Sequence, residues 1–325
     1  MIRASALSLL TTAFALFGCA SSPLIDASGN GRTAQALDLL KKGANPNELD
    51  KWSGFTPLSI ATVNGHKDTV AALLGKGADV QEANALGLTA LHWAALVGRA
   101  DIAKLLLSKG ANVDAKDNWG DTPILLGAQK GRTDVVRLLL QSTATVDALG
   151  VVLDIKGTSV MAPTGYEGSG CSPLMLAAEG GSLPVVRLLL DARADPRRRT
   201  SAGQTALLLA AARGRADVVS ELLARGVNAD ERDARGRTAL ALASRTSRAD
   251  CVRALLSGRA NPNVRDEDGL TPLMEAARSG RADAAALLLG AGADPAPRDR
   301  RGMTAYSYAQ SRHHADIMLL LGPGR

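Results

Sequence analysis

Residues 87–113 read GLTALHWAALVGRADIAKLLLSKGANV, and this stretch decides the fold. Thr89 stands ahead of an apolar run over 90–97, where a helix N-cap belongs. Gly98 interrupts, and a leucine-rich run from Ile102 to Leu107 follows. Gly110-Ala111-Asn112 then ends the second run, as a left-handed C-terminal residue would. The spacing predicts two short helices reversed at one glycine and stopped at another. Neither is long enough to stand alone in water, so each needs a neighbour to cover its apolar side.

Outward from Thr89 the phase repeats. It recurs at Thr56, Thr122, Ser172, Thr205, Thr238, Thr271 and Thr304, with steps of 33 residues except for one of 50. A glycine lies two residues before each of these, and a second lies nine after at 65, 98, 131, 181, 214 and 280. Pro follows the cap at 57, 123, 173 and 272, where its missing N–H costs nothing. A weaker first unit reads Pro23-Leu24-Ile25-Asp26-Ala27, Ala36 to Leu40 and Gly43-Ala44-Asn45, which makes nine units. A fixed period of 33 with this turn signature resembles the ankyrin-repeat family over residues 23–321. The resemblance implies an all-α solenoid of about nine helix-turn-helix units with short finger turns, spanning 20–325. Its stability would be a sum of unit and interface contributions.

Composition agrees with a modular helical chain. Of 325 residues, 46% are apolar but only 3% aromatic, so alanine and leucine carry the interior. The net charge of +6 lies in the second half, where residues 172–325 hold 23 basic and 17 acidic groups, every basic one an arginine. Either a nucleotide bias in the gene or an acidic partner accounts for it.

Residues 1–19 read as a signal peptide: Arg3, an apolar stretch over 4–17, and Leu16-Phe17-Gly18-Cys19. The end resembles the lipobox of bacterial lipoproteins, although Phe17 is bulkier than usual. That resemblance implies lipidation of Cys19 and anchoring at the inner or outer membrane, facing the periplasm. Cleavage after Ala20, giving a soluble periplasmic or secreted protein, is the alternative.

The groups that look chemical read as framework. His92 completes the family's turn motif, His66 follows an interhelical glycine, and His313 and His314 fall at the matching turn. Cys251 takes a place filled elsewhere by Val135, and Trp93 sits at a core register. No phosphate loop, nucleophile elbow or paired-Cys metal spacing is present. No catalytic role, cofactor or metal is expected, nor nucleic acid as partner, and the chain reads as a monomer. An enzyme would have to use the insertion over about 145–171, between units four and five. It offers only Asp147, Asp154, Glu167 and Cys171. Within it, Val151 to Ile155 and Thr158 to Met161 could form a hairpin. The insertion reads either as a binding loop displaying Tyr166 or as a tolerated surface loop.

The family's partners usually meet fingertips and the ends of first helices on the concave side. At those registers the first half carries Trp52, Phe55, Val63, Leu86, Leu88, Leu96, Val97 and Trp119. The second half carries Arg213, Arg235, Arg237, Arg245, Arg278, Arg300, Arg301 and Arg312. The expectation is a non-catalytic scaffold whose partner is a protein with an apolar and an acidic patch. A receptor for an anionic polymer or lipid headgroup is the alternative.

Overall fold

The computed structural model describes residues 22–51, 54–150 and 170–322. The signal-peptide and lipobox reading, Trp52, Tyr166 and the hairpin expected in the insertion all lie outside the described residues. The chain divides into two compact units, 1–173 and 174–325. The division falls beside the insertion.

Both units are built from helix pairs. The first holds α1 (Pro23–Gly29) with α2 (Thr33–Lys41), α3 (Pro57–Asn64) with α4 (Lys67–Gly75), α5 (Ala90–Val97) with α6 (Ala100–Ser108), and α7 (Pro123–Gln129) with α8 (Thr133–Gln141). α9 (Pro173–Gly180) opens at the boundary and is followed by α10 (Leu183–Asp191). Then come α11 (Ala206–Ala212) with α12 (Ala216–Ala224), α13 (Ala239–Ser244) with α14 (Ala249–Ser257), α15 (Pro272–Ser279) with α16 (Ala282–Gly290), and α17 (Ala305–Ser311) with α18 (Ala315–Leu321). Eighteen helices among the described residues give the nine pairs read from the sequence.

Local chemistry explains the starts of several first helices. Thr56 Oγ1 accepts the Ser59 N–H at 3.0 Å and Pro57 opens α3; Thr271 does the same for Met274 at 3.2 Å, ahead of Pro272. Second helices bury one stripe, as with Ile102, Ala103 and Leu106 in α6. First helices stack side by side within each unit, and second helices form an outer row against them.

The glycine between paired helices has two reasons to be glycine. Gly65 has φ of 82°, and a Cβ there would lie 2.6 Å from Arg99 Cζ of the next pair. That arginine reaches back to the Asn64 carbonyl at 3.4 Å. The same reach recurs from His66 to the Gly29 carbonyl at 3.0 Å, Arg132 to Leu96 at 3.1 Å, Arg215 to Glu179 at 3.2 Å and Arg281 to Arg245 at 3.2 Å. Side chains of one pair thus satisfy helix-end carbonyls of the pair before it, which would otherwise lack a partner.

Candidate interaction surface

Five fingers are each held from within by one Asx side chain. Asp233 Oδ1 accepts the N–H groups of Arg235 and Arg237, both at 2.9 Å. Asn84 does this for Leu86 and Leu88, Asp117 for Trp119 and Asp121, Asp266 for Asp268 and Leu270, and Asp299 for Arg301 and Met303, all at 2.8–3.0 Å. Neighbouring fingers also bond directly. The Asn118 N–H donates to Leu86 O at 3.1 Å, and Glu267 to Arg235 O and Arg300 to Asp268 O at 3.0 Å each. Fingertip side chains are therefore carried on fixed backbone, which lowers the ordering cost of binding.

The insertion follows the same plan. In ordinary fingers the Asx residue donates its N–H to a carbonyl four positions on, as from Asp117 to Asp121 O at 3.0 Å. Gly150 donates to Cys171 O at 3.2 Å in the equivalent place. The extra residues therefore enter at the tip of one finger, and its base closes as in the others.

The apolar half departs from expectation in exposure. Phe55, Val63, Leu88 and Leu96 are buried together with Ile25, Ile60, Trp93 and Leu126, and Leu86 and Val97 pack against them half-buried. Phe55 is 1% exposed and its ring lies 4.8 Å from that of Trp93. These side chains fill the space between neighbouring first helices, because an apolar group at a helix end gains more from the adjacent pair than from water. Among the described residues of this half, the expected contact positions that keep exposed surface are Trp119, Leu86 and Val97, all half-buried.

The arginine half is also sorted. Arg237 donates to Asp233 Oδ2 at 2.7 Å, its side chain 15% exposed. Arg213 pairs with Glu179 at 2.7 Å. Arg278 donates to both oxygens of Glu275, at 2.8 and 3.1 Å, while Arg245 Nε stays 3.8 Å from the same carboxylate. Burial pushes the Glu275 carboxyl above its ordinary range despite those two guanidinium groups. Arg235, Arg300, Arg301 and Arg312 are exposed and make no ion pair among the described residues.

A further set of arginines is structural, and the sequence reading missed it. Arg199, Arg232, Arg265 and Arg298 recur every 33 residues at the finger base. Arg199 Nη1 donates to Gly203 O at 2.9 Å and to Arg232 O at 2.6 Å; Arg232 reaches Arg265 O at 3.4 Å and Arg265 reaches Arg298 O. The constant register was the available signal: a framework residue recurs in phase, whereas contact residues vary.

The chemical-looking groups are tied into the framework. His92 Nδ1 lies 3.1 Å from the Thr89 N–H, which it accepts, so Nε2 carries the proton and donates to Asp121 O at 3.1 Å. Burial holds this ring below its ordinary pKa. Cys171 and Cys251 are buried, and burial pushes the Cys251 thiol up to about 12. Tyr308 donates to Asp299 Oδ2 at 2.5 Å; burial and that carboxylate push its hydroxyl up to about 12.

Comparison with known proteins agrees with this geometry. The family model described as ankyrin repeats (3 copies) matches residues 24–117, 81–150, 109–200, 174–266 and 255–324. An IkB-like protein of African swine fever virus (isolate Tick/Malawi/Lil 20-1/1983) is 46% identical over 52 residues, 16% of this chain and 22% of that protein. Glycerophosphocholine phosphodiesterase gde1 of Schizosaccharomyces pombe is 42% identical over 52 residues, 16% of this chain and 5% of that protein. The chain spans less than a quarter of the length of the curated relatives it matches. With the repeat matched from 24 to 324 and nine helix pairs in its register, the chain belongs to the ankyrin-repeat family.

Proposed function

We propose that this protein is a non-catalytic binding scaffold, exported and held at a membrane by lipid on Cys19. It holds a partner protein on its fingertips and first-helix ends. The observation that carries the reading is the contrast within each finger. In five fingers an Asx residue fixes the backbone, and bonds to the next finger add to this, while side chains such as Trp119 and Arg235 change from one finger to the next. A rigid support with variable tips is the arrangement of a recognition surface. Anchoring rests on the Leu16–Cys19 match after an apolar segment. Several acyl chains suffice for a stable hold, at about 0.8 kcal/mol per buried CH₂.

Two measurements test it. Mass spectrometry of the mature N-terminus is expected to find acylated Cys19; a free amino terminus at Ser21 would mean plain secretion. Full chain on a support is expected to retain a protein from detergent-solubilised membranes. Trp52→Ala with Trp119→Ala should weaken that complex by about 2 kcal/mol or more. A chain that retains no protein, yet binds heparin in a salt-sensitive way, would instead be a polyanion receptor.

A further inference from the structure

Three successive fingertips of the C-terminal unit carry charges in one register. Arg235 stands on the first, Glu267 and Asp268 on the second, Arg300 and Arg301 on the third. Arg235, Asp268 and Arg301 are separated by 33 residues each, and all five side chains are exposed. The tips are joined through the Glu267 N–H to Arg235 O and the Arg300 N–H to Asp268 O, both at 3.0 Å. None of the five forms an ion pair among the described residues, unlike Arg213, Arg237 and Arg278 nearby. Below the tips, Arg245 stays 3.8 Å from a carboxylate that Arg278 already holds by two bonds, so its guanidinium keeps donors to spare.

We propose that these tips bind an extended segment of a partner protein whose charges run acidic, basic, acidic. The inference rests on the scaffold reading above and names the chemistry of the partner. Each finger is a hairpin-like turn two strands wide, at about 4.8 Å per strand, so equivalent residues on adjacent tips lie about 10 Å apart. Extended chain covers that distance in about three residues. A uniform polyanion, whether nucleic acid, polysaccharide or anionic lipid surface, would meet Glu267 and Asp268 in the middle of the row and be repelled there. A patterned peptide places a cation at that point and carboxylates over Arg235 and over Arg300 with Arg301, where guanidinium forks donate paired hydrogen bonds to them. Like charges set against each other are the means by which such a surface rejects wrong partners.

The test uses the full chain and three fluorescein-labelled synthetic peptides of equal length, read by fluorescence anisotropy at low salt. One repeats the acidic–basic–acidic spacing of three, one has the same composition scrambled, and one is all acidic. Heparin and phosphatidylglycerol vesicles serve as polymer and lipid probes. The patterned peptide is expected to bind about tenfold more tightly than the other two peptides. Glu267→Lys with Asp268→Lys should move the preference to the all-acidic peptide. Both side chains are exposed, so the melting curve of that variant should match the parent. Equal binding of the scrambled peptide, preference of the parent for heparin or vesicles, or no peptide binding up to about 1 mM would each overturn the inference. A partner retained from membranes with undiminished affinity by the double Lys variant would overturn it as well, and would leave the scaffold reading standing.

Discussion

Thr143, Arg193 and Arg259 stand where other pairs end in glycine, yet all three keep a left-handed backbone, with φ of 63°, 65° and 63°. At Gly77, Gly110, Gly226 and Gly292, in the same register, an added Cβ would meet nothing within 4 Å. Space is therefore not the obstacle, and the cost is backbone strain alone, about 1–2 kcal/mol before the entropy of glycine is set against it. Replacing each with Gly is expected to raise unfolding free energy in urea by about 0.5–1 kcal/mol, most at the β-branched Thr143. Gly65→Ala should do the reverse and cost about 1–3 kcal/mol, because Arg99 occupies the space as well. His92 supplies a pH dependence at the same scale. Its ring binds a proton less readily folded than unfolded, since burial disfavours the charged form. The stability it contributes is present above the unfolded pKa, about 6.5, and is lost as pH falls below it towards the depressed folded value. Urea midpoints measured from pH 7.5 to 5 should fall, and His92→Gln should flatten that fall while lowering the plateau.

At the scale of the element, the long finger is the informative one. Its base pairs Gly150 with Cys171 as ordinary fingers pair their own ends, and Gly170 keeps a positive φ of 100°. Deleting residues 151–167 would leave Gly168, Ser169 and Gly170 between them, the three-residue tip of an ordinary finger. The shortened chain is expected to melt cooperatively at about the parent temperature, since loop length alone changes stability by only about 0.6 kcal/mol per doubling. Collapse of the melt would mean the tip supports the pairs beside it. Leu189→Ala in α10 is the contrast. That side chain is fully buried, and its truncation should cost about 2–5 kcal/mol in the same assay.

Among the described residues the arginines serve three ends: carbonyl-capping between pairs, ion pairs with buried or exposed acids, and exposed charge at the tips. Arg235→Ala should leave stability unchanged and lower the partner's association rate and its salt dependence, because exposed charges steer encounter. Arg237→Ala should instead cost about 1–3 kcal/mol of stability by urea titration, since it strands the buried Asp233 carboxylate. Equal effects from both would mean the tips are not sorted as described. The repeat, the helix pairs, the N-caps and the framework place of His92 were legible in the primary structure. Each rests on local rules, such as Thr and Pro at a helix start or glycine at positive φ, that act within one period. Composition at the contact registers was legible too, but the fate of each side chain there was not. Phe55 and Leu88 read as contact residues alongside Trp119, yet they are buried in one cluster with Trp93 and Leu126. Arg235 and Arg237 are two residues apart in one finger, and only the second meets an acid. Sequence by itself determined the repeating backbone, because its signals are short-range. Only the tertiary structure decided which arginines are spent on carbonyls and carboxylates and which remain on the surface, because that choice depends on what the neighbouring pair, 33 residues away, brings within reach.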